Sequence, residues 1–435
     1  MAEWKPISEI FDFEKGSLQS SKNTAGEYSF ITAAVDWKTH NQFTHDCEAL
    51  IFAMGASGSL GRTHYAKGKF IASDLCFILQ PKNGLKLNLR FYHRLFNFLR
   101  DDIVKKTATG TSKLAINKEN FSKYKLPYFG YEHQIAFKDK IENIYKSKLE
   151  ILIELEKQES HLKQLRQAIL QEAVEGILTA EWRKQNPELI SGENHAARLM
   201  EKIKAEKERL INEGKIKKQK PLRPISENEK PFHLPEEWVW TRFQEITTLI
   251  TDGKHGDCQN QPNSGYYFLS AKDIQNENLI YDYARQINKA EFEEVHRRTN
   301  LIPGDICMVN TGATVGKLAI APESTRTFKT TFQKSVAIIK LIQSHTINRY
   351  IKYFLNYEVK ELMKKSWGSA INNLLLGDLK NKVIPFPSLA EQQAIVEKVD
   401  QLMAKIDALE EQVKSRKAQA EQLMQAVLRE AFNGD

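Results

Sequence analysis

The chain has 435 residues, and its 63 Lys plus Arg against 55 Asp plus Glu leave a net charge of +8; that length exceeds one ordinary domain and leads us to expect two or three folded units. Four scattered cysteines without Cys-x-x-Cys spacing argue against a disulfide framework. The start, Met-Ala-Glu-Trp-Lys, lacks a signal-peptide core and no apolar run is long enough to span a bilayer, so a soluble, cytoplasmic protein with no membrane partner is expected, and the basic balance permits an anionic partner without requiring one.

In chain order, the first segment carries β-like apolar runs at 49–53 and 75–79, then a helical pattern at about 89–105. From about residue 132 to 178 an apolar stripe repeats in alternating steps of four and three, which predicts one long helix packed on another helix. A charged helix at 193–215 follows, and then Lys217-Lys218-Gln219-Lys220-Pro221-Leu222-Arg223-Pro224, whose prolines suit an extended linker or a basic contact. The next segment has β-like runs at 265–269, 303–309 and 335–339 and a helical pattern at 348–364. Pro385-Phe386-Pro387 then blocks helix, Ser388 and Glu391 have capping-box spacing, and a second long helix runs from 389 to the end.

The two halves repeat. Gln164-Leu165-Arg166-Gln167-Ala168 recurs as Gln422-Leu423-Met424-Gln425-Ala426, an offset of 258 that holds back through Gln134/Gln392 and Pro127/Pro385. The expected seam of the first helix includes Ile141, Ile144, Ile151, Leu155, Leu162 and Leu165, with Lys148 and Gln158 between them. That of the second includes Val399, Leu402, Leu409, Val413, Leu423 and Val427. Trp4…Glu9-Ile10 matches Trp240…Glu245-Ile246 at an offset of 236, so the two globular segments share a fold and differ in loop length. The expected fold class is α+β: two mixed α/β domains joined by two long helices packed as an antiparallel coiled coil, with a pseudo-two-fold internal repeat. The boundaries expected are 1–131, 132–178, 179–236, 237–388 and 389–435.

Gly312-Ala313-Thr314-Val315-Gly316-Lys317, after Thr311, puts small residues, a hydroxyl and a cation in one turn, and Gly55-Ala56-Ser57-Gly58-Ser59-Leu60-Gly61-Arg62 is its counterpart. Backbone N–H groups in such turns bind phosphate oxygens, although tight β-turns need the same glycines. Lys254 and His255 form a second polar turn, and Lys329, Thr330, Gln333 and Lys334 a third group, for which plain solvation is the competing reading. Gly110-Thr111-Ser112-Lys113 and Gly368-Ser369-Ala370 match across the repeat, as contact loops or connectors. The chain lacks a Walker A loop, Gly-x-Gly-x-x-Gly, a Gly-x-Ser-x-Gly elbow and the Asn-Pro-Pro-aromatic string of amino-methyltransferases, and His40, His45 and Cys47 lack a second metal-ligand pair. Binding rather than turnover is expected, with no metal and no cofactor on this chain.

At this point the chain resembles the specificity subunits of type I restriction–modification systems. The resemblance rests on the globular–helix–globular–helix order and on Leu234-Pro235-Glu236-Glu237-Trp238, Thr251-Asp252-Gly253-Lys254-His255, Pro303-Gly304-Asp305-Ile306, Thr311-Gly312-Ala313-Thr314-Val315-Gly316-Lys317 and Glu391-Gln392-Gln393-Ala394-Ile395. The first segment departs from it, lacking the Leu-Pro-Glu lead and the Asp-Gly-Lys-His string. The resemblance implies two target-recognition domains reading a bipartite, asymmetric site on double-stranded DNA, with the helices as spacer. It implies docking of two adenine-modifying methyltransferase subunits and of motor-nuclease subunits, with S-adenosylmethionine, ATP and Mg on those partners. Ser57, Ser59, Arg62, Lys254, His255, Thr311, Thr314, Lys317, Lys329 and Gln333 are then the candidate DNA contacts. The alternatives are a reader serving a fused methyltransferase–nuclease, a self-sufficient enzyme, and a coiled-coil scaffold without sequence readout.

Overall fold

The computed structural model describes residues 3–56, 58–110, 114–365 and 373–433. Ser57, residues 111–113 and 368–370 and the side chain of Ile141, all singled out above, lie outside the described residues. The fold is α+β, and the chain divides into two compact units: Met1–Glu159 with Glu411–Asp435, and Ser160–Glu410. Each unit therefore holds part of both long helices.

In unit 1, strands β1 (Glu3–Pro6), β2 (Phe11–Lys15), β3 (Tyr28–Ile31), β4 (Lys38–His40), β5 (His45–Ala53), β6 (Thr63–Ala72) and β7 (Cys76–Pro81) come first. Helices α1 (Leu89–Phe98) and α2 (Arg100–Thr107), strand β8 (Lys125–Tyr128) and the long helix α3 (Tyr131–Val174) follow. Six strands form one sheet in the order β2-β7-β5-β6-β3-β4. The apolar run in β5 follows from burial on both faces. Leu50 and Phe52 join Phe91, Tyr92, Leu95 and Phe96 of the α1 side, whereas Ala49, Ile51 and Ala53 join Ile31, Phe70 and Ile78 on the other, as a two-residue period requires. The single helix expected at 89–105 is two, because Leu99 leaves helical geometry at φ −85° and ψ 4°. The break places Arg100 beneath the β5–β6 turn, where its Nε donates to Leu60 O at 2.7 Å and its Nη2 to Gly58 O at 2.9 Å.

Unit 2 contains α4 (Ala196–Asn212), β9 (Val239–Arg242), β10 (Thr247–Asp252), β11 (Tyr267–Leu269), β12 (Arg285–Gln286), α5 (Lys289–Thr299) and β13 (Ile306–Val309). It continues through β14 (Leu318–Ile320), β15 (Thr330–Phe332), β16 (Val336–Leu341), α6 (Asn348–Lys365) and β17 (Val383–Phe386) into the second long helix, α7 (Leu389–Asn433). Its four-stranded sheet runs β10-β16-β13-β14, the same antiparallel order as β2-β7-β5-β6. The first and last strands correspond too, with Trp4 opposite Pro127 and Trp240 opposite Pro385. Two strands start later than the sequence suggests because Gly265 (φ +76°) and Gly304 (φ +88°) are turn residues in left-handed geometry. The charged helix stops at Asn212, just before Gly214 at φ +68°.

The basic linker is not a free spacer. Arg242 donates to Arg223 O at 3.0 Å and Pro224 O at 3.2 Å. The buried Lys207 ammonium binds Gln219 Oε1 at 2.9 Å, Gln244 O at 2.8 Å and Glu245 O at 3.1 Å. These bonds hold the run against the start of the second sheet rather than in solvent.

The long helices pair antiparallel within each unit. In unit 1 Lys148 meets Glu421 and Glu159 meets Lys417. In unit 2 Arg166 meets Asp407 and Glu410, while Thr179 and Arg183 meet Glu391. Leu155, Leu162, Val399 and Val413 are buried as the heptad reading expects, and Ile144, Leu402 and Val427 half-buried. Four positions are corrected, however: Ile151 and Leu165 are 46% exposed, Leu409 44% and Leu423 65%. The contact line passes one residue later, through Leu152, Glu159, Arg166, Glu410, Lys417 and Met424. Counting apolar residues missed it because charges that are paired across the seam can occupy seam positions. The capping box is also corrected. Ser388 Oγ accepts from Glu391 N at 3.1 Å, but the fully buried Glu391 carboxylate turns to Thr179 Oγ1 (2.7 Å), Arg183 Nη1 (2.6 Å) and Trp238 Nε1 (2.7 Å).

Candidate nucleic-acid interface

In unit 2, backbone hydrogen bonds gather three turns at one end of the sheet's strands. Gly253 N donates to Val336 O at 3.2 Å, Lys254 N to Phe332 O at 2.8 Å, and Lys334 N to Lys254 O at 3.0 Å. Asn310 N donates to Ser335 O at 3.0 Å, and Leu374 N to Asn310 O at 2.7 Å. Lys254, Gln333 and Thr311 are thereby brought together, Thr311 Oγ1 also binding Asn373 Oδ1 at 3.1 Å. Gly253 is required by a close approach, since a Cβ there would lie 1.9 Å from Phe332 O.

The β13–β14 turn carries Thr314 and Lys317. Gly316 sits at φ +92°, and a Cβ on it would meet Val359 Cγ1 of α6 at 2.2 Å. Lys317 is exposed and makes no ion pair among the described residues. The Lys254 ammonium lies 3.2 Å from Glu294. Burial pulls its pKa down, but the Glu294 bond and neighbouring acids outweigh this and hold it above the ordinary lysine value. His255 Nε2 is 2.9 Å from Asp252. Lys329 is set apart: it precedes β15, whereas Gln333 follows that strand, so the two lie at opposite strand ends.

Unit 1 repeats this scaffold. Ala53 N donates to Arg62 O at 2.8 Å as Val309 N does to Lys317 O at 2.8 Å, and Gly61 N to Ala53 O as Gly316 N does to Val309 O. A Cβ on Gly61 (φ +76°) would meet Val104 Cγ2 of α2 at 2.7 Å. Arg62 therefore holds the position of Lys317, but its guanidinium turns inward to Ala33 O at 2.8 Å and Ser59 Oγ at 3.0 Å. The neighbouring Trp37 Nε1 donates to His64 Nδ1 at 3.3 Å. Burial, and then Arg62, push the His64 pKa down, which keeps that ring neutral and able to accept. His40, His45 and Cys47 are engaged separately, with Asn23, Glu14 and Gln80.

Sequence reasoning missed the turns that answer Asp252-Gly253-Lys254 and Gln333-Lys334-Ser335. They are Lys15-Gly16-Ser17 and Ser73-Asp74-Leu75. Gly16 N donates to Cys76 O at 2.9 Å, Ser17 N to Ala72 O at 3.1 Å, and Met54 N to Leu75 O at 2.9 Å. A Cβ on Gly16 would lie 2.2 Å from Ser73 O. The signal was present: extending the Trp4/Trp240 match with one added residue aligns Gly16 with Gly253.

Among the described residues no group of three His, Cys, Asp or Glu could hold a metal ion, and no helix is long and apolar enough to cross a membrane. The chain is 28% identical over 286 residues to the EcoEI specificity subunit of Escherichia coli, a match covering 63% of this chain and 46% of that protein. The chain thus spans about half the length of that relative. It is 24% identical to the EcoDI specificity subunit of Escherichia coli, with 100% of this chain and 88% of that protein covered. A solved structure from work on complex assembly and conformational transition of the type I restriction–modification system has the same fold. It matches at a TM-score of 0.60 and 18% identity, over 100% of this chain and 98% of that one. The family model for the type I restriction modification DNA specificity domain matches residues 1–160 and 235–416, most of the sequence, and the chain belongs to that family.

Proposed function

We propose that the chain is the DNA sequence-recognition subunit of a type I restriction–modification complex. Its two domains each read one half of a bipartite, asymmetric site on double-stranded DNA. The observation that carries this reading is one turn scaffold built twice, with matched backbone bonds and unlike side chains at the tips. A constant frame holding variable tips is what reading two different sequences with one fold demands. The candidate contacts are Ser57, Ser59, Arg62, Lys254, His255, Thr311, Thr314, Lys317 and Gln333, with Lys329 as an outlying member.

The paired helices act as the spacer and as the docking site for two adenine-N6 methyltransferase subunits and the motor-nuclease subunits. Leu149, Ile153 and Leu423 on unit 1 and Leu165 and Leu409 on unit 2 are exposed apolar helix residues suited to such contacts. The chain itself catalyses nothing. S-adenosylmethionine, ATP and Mg belong to the partners.

The test is a map of methylated adenines in host DNA with and without the gene, and again after exchanging residues 3–128 for the matching segment of a relative. A bipartite site should vanish on deletion and change in one half only on exchange. Change in both halves, or in neither, would refute modular reading.

A further inference from the structure

The equivalence of the two heads extends to a four-residue turn that closes in the same way in each. Cys76 N donates to Ser73 O at 2.9 Å, and Val336 N to Gln333 O at 3.0 Å. Each turn is clamped from one side by a glycine strand that leaves no space for a Cβ, Gly16 against Ser73 O and Gly253 against Gln333 O. From the other side each is held by the residue after the next strand, Met54 N on Leu75 O and Asn310 N on Ser335 O. The backbone of the turn is therefore set while its side chains differ, and the two residues at its tip are Asp74-Leu75 in the first head and Lys334-Ser335 in the second.

The difference is one of chemistry. Leu75 is 42% exposed, a large apolar side chain at the tip. Asp74 beside it can only accept hydrogen bonds when ionised. Lys334 is exposed and forms no ion pair among the described residues, whereas Ser335 Oγ and Asn310 Oδ1 are buried beneath it without hydrogen-bond partners. In the major groove an apolar side chain meets the thymine methyl and a carboxylate meets an exocyclic amine, whereas an ammonium meets guanine O6 and N7.

We propose that these turns are specificity determinants: Asp74-Leu75 reads a thymine methyl beside an amine-bearing base in the first half-site, and Lys334 reads a guanine in the second. This rests on the DNA-reading role above. Once the half-sites are mapped, binding of the full chain is measured on duplexes with deoxyuridine replacing each thymine of the first half-site, or 7-deazaguanine replacing each guanine of the second. Loss of one methyl contact should weaken binding about fivefold, and loss of the purine N7 acceptor about tenfold. In Leu75→Ala the uridine penalty should disappear, and in Lys334→Ala the deazaguanine penalty, each leaving the other intact; Leu75→Met and Lys334→Arg should keep them.

Penalties absent from the parent chain, penalties surviving the alanine variants, or half-sites lacking thymine or guanine respectively would overturn the assignment. If instead exchange of a whole head leaves the mapped site unchanged, the underlying role falls, and the two failures are distinct.

Discussion

Glu159 and Lys417 form an ion pair at 2.7 Å, and they occupy the same position of the two repeats, 258 residues apart. In an antiparallel pair of equivalent helices, a residue that faces its own counterpart marks the local centre of the pairing. A single duplicated position here carries opposite charges, which lets one helix accept the other while two copies of the same helix would place like charges together. Both side chains are about a third exposed or more, so the pair should contribute only ~0.5 kcal/mol. In a double-mutant cycle, Glu159→Lys and Lys417→Glu should each lower the unfolding midpoint, and the double exchange should recover most of the loss. Equal loss in the single and double variants would show that the pair does not set register.

Gln134 and Gln392 are both fully buried and do the same work in their own units. Gln134 Oε1 accepts from Asn88 N at 2.7 Å and its Nε2 donates to Phe129 O at 2.7 Å. Gln392 accepts from Ile347 N at 2.9 Å and donates to Pro387 O at 3.2 Å. Each amide ties the residue ahead of α1 or α6 to the first turn of a long helix. Replacement by leucine leaves a buried N–H and a buried carbonyl without partners, at about 1–3 kcal/mol each. Hydrogen exchange should show Gln134→Leu loosening α1 alone and Gln392→Leu loosening α6 alone; unchanged protection at Asn88 or Ile347 would contradict the clamp.

The repeat, the long helices and the positions of the strand-rich segments were legible because periodicity and duplication are properties of the sequence itself. The true seam was not, because Glu159, Arg166, Glu410 and Lys417 reach it only by pairing with each other, and a pattern of apolar residues is blind to partners. The candidate interface was half legible. The glycines of the Gly55–Arg62 and Gly312–Lys317 turns advertised themselves, but Asp74 and Leu75 contain no glycine and gain meaning only from backbone bonds that match those of Lys334 and Ser335 in the other unit. The inward turn of Arg62 was equally hidden, since it depends on Ala33 from a different hairpin.

Gly16 and Gly253 should tolerate no side chain. A Cβ would lie 2.2 Å from Ser73 O in one case and 1.9 Å from Phe332 O in the other, and backbone oxygens cannot step aside as a flexible side chain can. Gly16→Ala should impair binding to the first half-site and Gly253→Ala to the second, each at least tenfold. Gly377→Ala has open space and should leave both unchanged. Full binding by Gly253→Ala would mean that the turn is not held as described.

Acid should loosen unit 1 around His93. Burial, reinforced by Arg94, pushes the His93 pKa down to about 4, and His64 beside it is lowered for the same first reason. A histidine whose folded pKa is depressed favours the neutral form in the native state. Between pH 6.5 and about 4 the unfolded chain therefore binds more protons than the folded one, and stability falls as pH falls. The contribution is complete above pH 6.5, and its loss by pH 4 is on the order of 3 kcal/mol for His93. In unit 2 the Glu229 carboxylate is held at about 2, first by Arg242 and then by Ser226. Its stabilisation is present above the ordinary glutamate value and is lost only as pH drops from there toward 2. Hydrogen exchange followed from pH 7 to 4.5 should thus show protection fading in β6 and α1 before it fades around Arg242, and His93→Asn should flatten that trend. Earlier loss of protection around Arg242, or an unchanged pH profile in His93→Asn, would show that burial of His93 does not govern the acid response of unit 1.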